Sequence, residues 1–350
     1  MFFILRIYLI DENMKILFDS YNCCTQNKAG GVQSKIKDTF KEISNQGIEI
    51  KLFDKWNDKV DDYDLVHFFK LSGEHYSLMR LAKNKGKKIV LSSIVALEGE
   101  SRIRTGLLLG KLHIPNSIVY SKRQLDLCDA IVTETEKEKV FIIENYKVSP
   151  SKIFVIPNGI SPTILGGNPT LFREKYNITK PFVLQLGRFD KNKNQINVIR
   201  ALKDTDIPLV LVGGPDSNEK SYFEQCKLEA SSNVIFTGWI EHSNPLLSSA
   251  IAAADVLVLP SYKEIFGNAV FEGIANNTKI VATDVLPIEQ WGLGNMVLPI
   301  NAVDIGDIKN KIMKSLSLEC NNDIVSKVLT EYSFERIAQR HITLYTDLLK

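Results

Sequence analysis

The residues of this chain best placed to do chemistry are two glutamates and two cations, each group following a short apolar run. Asp255-Val-Leu-Val-Leu-Pro-Ser-Tyr-Lys-Glu264-Ile-Phe-Gly-Asn-Ala-Val-Phe-Glu272 reads as a buried strand, a polar loop and a helix opening near Gly267. Glu264 falls in the loop, and Glu272 lies eight residues on, about two turns into the helix. The backbone N–H groups of Phe266, Gly267, Asn268 and Ala269 are free at such a helix start and suit a phosphate or sugar hydroxyls. Glu272 could accept two hydrogen bonds from a ribose diol. The plainer alternative makes Glu264 a helix cap and Glu272 a solvated surface residue. A second strand-loop-helix segment, Leu184-Gln-Leu-Gly187-Arg188-Phe-Asp-Lys-Asn-Lys193, puts Arg188 and Lys193 just beyond a strand end. Two fixed cations there suit a diphosphate, with Arg giving bidentate contact and Lys a point charge. Lys191 and Lys193 alone would read as a solvated basic loop.

The first half of the chain carries weaker candidates. Lys28-Ala-Gly30-Gly31-Val32 follows the first strand and opens a helix. Paired glycines let backbone approach a ligand closely and a helix start favours phosphate oxygens, although a plain Gly-rich turn would look the same. His67 ends the strand Asp64-Leu-Val-His67 and reads either as a polar group facing a substrate or as a satisfied strand-end histidine. Ser101-Arg-Ile-Arg-Thr-Gly-Leu-Leu-Leu-Gly-Lys-Leu-His113 combines three consecutive leucines with Arg102, Arg104 and Lys111. It could rest on an anionic membrane surface, or be an ordinary helix with a buried leucine face.

Composition narrows the classes these residues can serve. The 350 residues are 44% hydrophobic and 24% charged, and 43 basic against 41 acidic residues leave a formal net charge of +2. That balance excludes a disordered chain and a nucleic-acid-coating protein, whose clustered basic excess would show. Five cysteines, Cys23, Cys24, Cys128, Cys226 and Cys320, include no C-x-x-C pair. A disulfide framework and a structural zinc site are thereby disfavoured, and a reducing cytoplasm fits. Phe2 to Ile10 are apolar apart from Arg6, but the run is too short for a membrane span and ends in Asp11, Glu12 and Asn13. It reads as an over-extended start or a loose amphipathic lead-in.

Elements able to position the candidates alternate along the whole chain. Strands are expected at 15–19, 48–53, 64–69, 88–93, 129–133 and 152–156, then at 182–186, 208–213, 233–237, 255–259, 279–283 and 296–300. Amphipathic helical patterns at 32–46, 74–85, 192–203, 219–231, 242–253, 267–276 and 304–317 separate many of them. Strand, helix and strand in sequence imply right-handed crossovers and mainly parallel sheets. Pro162 to Tyr176 holds Gly166, Gly167 and Pro169 without a strand pattern and is the best linker candidate. Two doubly wound α/β halves joined there would bind a ligand outside their strand C-termini.

Gly187-Arg188 with Lys193, followed by Glu264-x7-Glu272, resembles the retaining glycosyltransferases of family four, which have the GT-B fold. Val155-Ile-Pro-Asn-Gly-Ile160, Leu211-Val-Gly-Gly214, Val234-Ile-Phe-Thr-Gly-Trp-Ile240 and Tyr332-Ser-Phe-Glu-Arg336 extend the resemblance along most of the chain. It implies two Rossmann-like domains: an acceptor-binding domain at 14–161, a hinge at 162–178 and a donor-binding domain at 179–332. A last helix at 333–350 would cross back to the first domain. Arg188 and Lys193 would hold the diphosphate of a nucleotide sugar, and Gly187 would end the strand beneath it. Glu264 with the backbone of Phe266, Gly267 and Asn268 would hold the donor sugar, with Glu264 positioning rather than attacking. Glu272 would bind the ribose, and the base would lie near Gly238, Trp239 and Ile240, Trp239 being either a stacking residue or a core indole. Gly31, and with it Gly30, would face the donor from the first domain.

The resemblance has one departure. Where many relatives carry a histidine near the reacting sugar, this chain reads Ser92-Ser-Ile-Val-Ala-Leu-Glu98-Gly-Glu100. Glu98 or Glu100 is then a replacement candidate on the acceptor side, beside His67. The implied activity is hexosyl transfer to a saccharide or lipid-linked acceptor in bacterial surface-polysaccharide assembly, such as lipopolysaccharide O-antigen or capsule. It would need no metal or other cofactor and would run in the cytoplasm, with a peripheral membrane contact left open. A sugar-nucleotide epimerase of the same fold, or a non-catalytic sugar-nucleotide-binding partner subunit, would share the motifs.

Overall fold

A computed structural model describes residues 14–22, 24, 31–215 and 218–350. The lead-in at 1–13, like Gly30, lies outside the described residues. The chain divides into two compact units, residues 1–159 with 334–350, and residues 160–333.

The first unit is built on a parallel six-stranded sheet in the order β2-β1-β3-β4-β5-β6. Its strands are β1 (Lys15–Ser20), β2 (Glu49–Leu52), β3 (Leu65–Phe69), β4 (Lys88–Ser92), β5 (Ala130–Thr133) and β6 (Ile153–Val155). Successive strand residues point to opposite faces, so one strand feeds two cores. Ile16 and Phe18 pack on one face with Ile36, Ile43, Phe69 and Val90. Leu17 faces the other way, among Val66, Phe68, Ile89, Ile103 and Ile142. Every residue of β3 is buried, as suits a strand covered on both faces. The chain's last helix, Phe334–Leu349, completes the first of these cores with Ile337, Ala338, Ile342 and Tyr345.

The second unit repeats the scheme with strand order β12-β11-β10-β7-β8-β9, again all parallel. The strands are β7 (Val183–Leu186), β8 (Leu209–Val212), β9 (Val234–Gly238), β10 (Val256–Leu259), β11 (Lys279–Thr283) and β12 (Val297–Ile300). The short apolar runs read from the sequence are these strands, and the architecture is the expected α/β fold with two doubly wound sheets.

The segment expected as a hinge, 162–178, requires correction. It carries a 3₁₀ turn, Pro162–Ile164, and a helix, Pro169–Lys175, whose Ile164 and Phe172 are fully buried in the core of the second unit. Of its glycines, Gly166 (φ +68) serves a turn and Gly167 serves packing. A Cβ on Gly167 would lie 2.2 Å from the carbonyl carbon of Ser248, so the backbones meet where no side chain fits. The chain passes between units at Gly159 and Ile160, and again at Ser333 and Phe334.

Candidate functional site

In the second unit β7 pairs with β8 on one side and β10 on the other, so the connections leaving β7 and β10 diverge. Open parallel sheets bind ligands at such a reversal. Its floor is made by close backbone approach. Gly187 (φ +141) ends β7, and a Cβ on Gly213 (φ +149) would lie 1.9 Å from the Gly187 carbonyl oxygen. The Gly213 N–H donates to the carbonyl of Gly238 at 2.9 Å. Three strand ends thereby come together through glycines.

Asp190 organises the basic loop. One carboxylate oxygen accepts from the Lys193 backbone N–H at 2.8 Å, capping the 3₁₀ turn Lys191–Lys193. The other accepts from Arg188 Nε at 2.6 Å. Gln185 Nε2 donates to the Lys193 carbonyl at 2.7 Å, and Gln195 Nε2 to the Arg188 carbonyl at 2.9 Å. Asn194 sits in the left-handed region (φ 55), which a short polar side chain tolerates. Its Nδ2 donates to the carbonyls of Pro260 at 3.1 Å and Ala302 at 2.7 Å, and Tyr262 donates to its Oδ1 at 3.0 Å.

The loops after β7 and β10 are also stitched directly. The Tyr262 N–H donates to the Asn192 carbonyl at 2.9 Å, and Asn192 Nδ2 donates to the Lys263 carbonyl at 3.1 Å. Across this seam Lys193 Nζ lies 2.5 Å from Glu264 Oε1, the two side chains being 24% and 13% exposed. Arg188 is more open, with its side chain 61% exposed.

Gly267 (φ +70) turns the chain into the helix Asn268–Ala275. Phe266 is buried, its ring parallel to Phe271 at 4.5 Å with Trp291 against its edge, so it offers a ligand its backbone and not its ring. Glu272 is partly buried, with Oε1 3.9 Å from Nε2 of His242. Ile240 packs against the core, and Trp239 is half-buried beside Gly214. The structure thus brings Arg188, Lys193 and Glu264 together through Asp190 and one ion pair, and sets Gly238 and Trp239 at the neighbouring strand end.

Residues 170–320, covering most of this unit, match the family described as glycosyl transferases group 1. The processive diacylglycerol alpha-glucosyltransferase of Acholeplasma laidlawii is 24% identical over 305 residues, 84% of this chain and 88% of that protein. Sucrose-phosphate synthase from Thermosynechococcus elongatus superposes with a TM-score of 0.77 at 19% identity, over 96% of this chain and 99% of that one. Residues 170–320 are thus a group 1 glycosyltransferase region. HepE of Anabaena, solved with UDP and glucose, shares the fold of this transferase at a TM-score of 0.69 and 15% identity, covering 95% and 100% of the two chains. Other curated relatives are matched over 29% to 60% of their own length. The transferase is an enzyme of nucleotide-sugar transfer with the GT-B fold.

In its first unit the strand order reverses between β1 and β3. Gly31 is exposed and opens the helix Gly31–Asn45, after the β1 end. His67 is corrected as an acceptor-side candidate. It is fully buried, with Nδ1 2.7 Å from the Tyr345 hydroxyl, Nε2 2.9 Å from Ser92 Oγ and its ring stacked on Phe69. Burial, then the neighbouring His341 and Lys35, holds its pKa well below the ordinary histidine value. Glu98 and Glu100 are exposed, Glu98 in the connection after β4 and Glu100 opening the helix Glu100–Lys111.

Two groups near these strand ends escaped the sequence reading. His75 is buried with Nδ1 3.2 Å from Asp19 Oδ2 and Nε2 3.2 Å from the Phe69 carbonyl. Glu138 is buried too, and its Oε1 accepts from Ser93 Oγ at 2.7 Å and the Val95 N–H at 2.9 Å. Its Oε2 accepts from the Glu134 N–H at 2.8 Å. Burial and then the charge of Glu134 push its pKa up to about 7. Between its two anchor points Ile94 adopts φ 46, an outlier for a β-branched residue. The Thr135-x-x-Glu138 spacing is a capping-box pattern that marks this helix start in the sequence.

Proposed function

We propose that the transferase moves a hexose, with retention of configuration, from a nucleotide-diphosphate sugar to a saccharide or lipid-linked acceptor. The setting we favour is bacterial surface-polysaccharide assembly on the cytoplasmic side of a membrane. The observation that supports this most is the pair of cations at the end of β7, both held by Asp190 beside the loop that carries Glu264. Cleavage of the anomeric C–O bond builds positive charge on the sugar and negative charge on the leaving diphosphate. Arg188 and Lys193 stabilise the latter, and such preorganised charge is commonly the largest catalytic contribution. They supply the positive charge that a metal would otherwise bring, so we assign no metal or other cofactor. Glu264 positions the sugar with the backbone of Phe266, Gly267 and Asn268. Glu272 takes the ribose, and the segment Gly238 to Ile240 takes the base.

The decisive measurement is a thermal-shift screen of UDP, GDP and ADP sugars, repeated on Lys193→Ala. The nucleotide that stabilises the wild type should lose most of its shift in the variant, with transfer reduced about 10²–10³-fold. A folded Lys193→Ala enzyme with wild-type transfer would sink the phosphate assignment.

The lipid-linked reading has support in the first unit. The helices Glu100–Lys111 and Ser117–Leu127 bury Ile103, Gly106, Gln124 and Leu125, and the three leucines do not form a buried face. Leu108, Leu112 and Ile114 are 55%, 70% and 46% exposed. Residues 101–125 contain five Lys and Arg and no Asp or Glu. A basic hairpin with exposed leucines suits an anionic bilayer surface. Among the described residues no helix is long and apolar enough to cross a membrane. The protein should float with anionic but not zwitterionic liposomes, and Leu108→Ser with Leu112→Ser should abolish flotation.

A further inference from the structure

Glu264 has a second consequence that rests on the phosphate reading of Lys193. The ion pair between them is short and largely buried, with 2.5 Å between Nζ and Oε1. It is not what holds the two loops together. Asn192 is joined to Tyr262 and Lys263 by two hydrogen bonds, and Asn194 bonds to Pro260 and Tyr262. Asp190 and Gln185 fix the Lys193 backbone independently of its side chain. The carboxylate therefore acts on Lys193 mainly through charge.

A diphosphate drawn to Lys193 meets that carboxylate as a competitor and as a like charge, both of which weaken its binding. A nucleotide sugar brings compensation, because its hydroxyls donate to the carboxylate that the phosphate displaces. A nucleoside diphosphate brings none, and leaves a partly buried carboxylate without its cation. We propose that Glu264 is a specificity residue that favours the nucleotide sugar over the nucleoside diphosphate product, by competing with the diphosphate for Lys193. The same competition expels the product after transfer, when the sugar has gone and the ion pair re-forms.

The test is calorimetric titration of the full chain with UDP, GDP and ADP, and with the glucose conjugate of whichever base the wild type binds. Glu264→Gln, which keeps the shape and removes the charge, should bind the nucleoside diphosphate about tenfold more tightly. It should gain nothing or lose affinity for the sugar conjugate. In a Lys193→Ala background the same substitution should give a clearly smaller gain, since the competition runs through that ammonium and only the like-charge repulsion is left. Glu264→Ala serves as a second variant should the glutamine disturb the loop, with near-UV circular dichroism confirming the fold.

Unchanged or weaker diphosphate binding by Glu264→Gln and Glu264→Ala, where Lys193→Ala binds weakly, overturns this inference and leaves the phosphate assignment standing. Wild-type diphosphate affinity in Lys193→Ala overturns the phosphate assignment itself. An equal gain for diphosphate and sugar conjugate also overturns the specificity role, because the hydroxyls would then offset nothing.

Discussion

Asp190 does two separable things for the cations on either side of it, and substitutions can tell them apart. As a cap it satisfies the Lys193 N–H; as a charge it draws the Arg188 guanidinium to 2.6 Å. Asparagine caps about as well as aspartate, so Asp190→Asn should keep the turn while loosening Arg188. Asp190→Ala should lose both functions. We expect urea denaturation to show Asp190→Ala less stable by about 1 kcal/mol, with Asp190→Asn close to wild type. Transfer should fall in both variants and further in the alanine. Equal stability and equal activity of the two variants would remove the cap from the account. Arg188, Lys193 and Glu264, which the structure sets near one another, were singled out by the order and spacing of their motifs along the chain, since each alone reads as a solvated loop or a helix cap. Asp190 was not, because an acidic residue among lysines looks like surface charge until the turn places it. His67 left two readings open for a different reason. A polar residue ending an apolar strand has the same sequence signature whether it faces a ligand or, as here, a buried tyrosine and serine.

At the scale of elements, the strands stood out as short apolar runs, and β3, β5, β8 and β10 are buried along their whole length, whereas the edge strand β2 is largely exposed. The stretch from Pro162 to Tyr176 was misread because glycine and proline serve close packing and helix starts as well as hinges. Pro169 opens a helix, and Gly167 lets that region approach Ser248. The C-terminal helix makes the converse point: the last residues of the sequence complete the core of the first unit. Ile337, Ala338, Ile342 and Tyr345 are fully buried against residues contributed by β1, β3 and the helix Gly31–Asn45. Gly159 is matched to this docking, since a Cβ there would lie 2.6 Å from the Phe334 ring. A chain ending at Ser333 loses several large buried side chains from one core, at about 2–5 kcal/mol each. It should therefore show molten or unfolded behaviour in the first unit. Hydrogen exchange should reveal loss of protection in β1 and β3 while β7 and β10 stay protected. Uniform protection in the truncated chain would contradict this packing account.

The whole molecule distributes its buried titratable groups unevenly, and that asymmetry should appear as a response to acid. The first unit buries His67, His341 and Glu138, together with His75 beside Asp19 and Lys35 in its ion pair with Glu134. In the second unit the buried carboxylate among the described residues is Asp190, which already has two donors. Burial, then Lys35 and Arg340, lowers the His341 pKa from 6.5 to about 3, and neither ring nitrogen has a hydrogen-bond partner. A histidine kept neutral by the fold contributes stability that is complete above the unfolded pKa and is lost as the pH falls towards the folded one. His67 acts in the same direction. Glu138, raised from 4.5 to about 7, contributes stability below 4.5 that is lost as the pH rises through 7. Two histidines outweigh one carboxyl, so between pH 6.5 and 4.5 the first unit should lose about 1 kcal/mol per pH unit. Hydrogen exchange corrected for intrinsic rates should show β4 opening on acidification well before β10. His341→Leu removes one of the two titrations and two unpartnered buried nitrogens, so it should stabilise the first unit at pH 7 and by a larger margin at pH 5. If acid instead opened both sheets together, or His341→Leu gave the same shift at both pH values, the buried histidines would not be the source of the response.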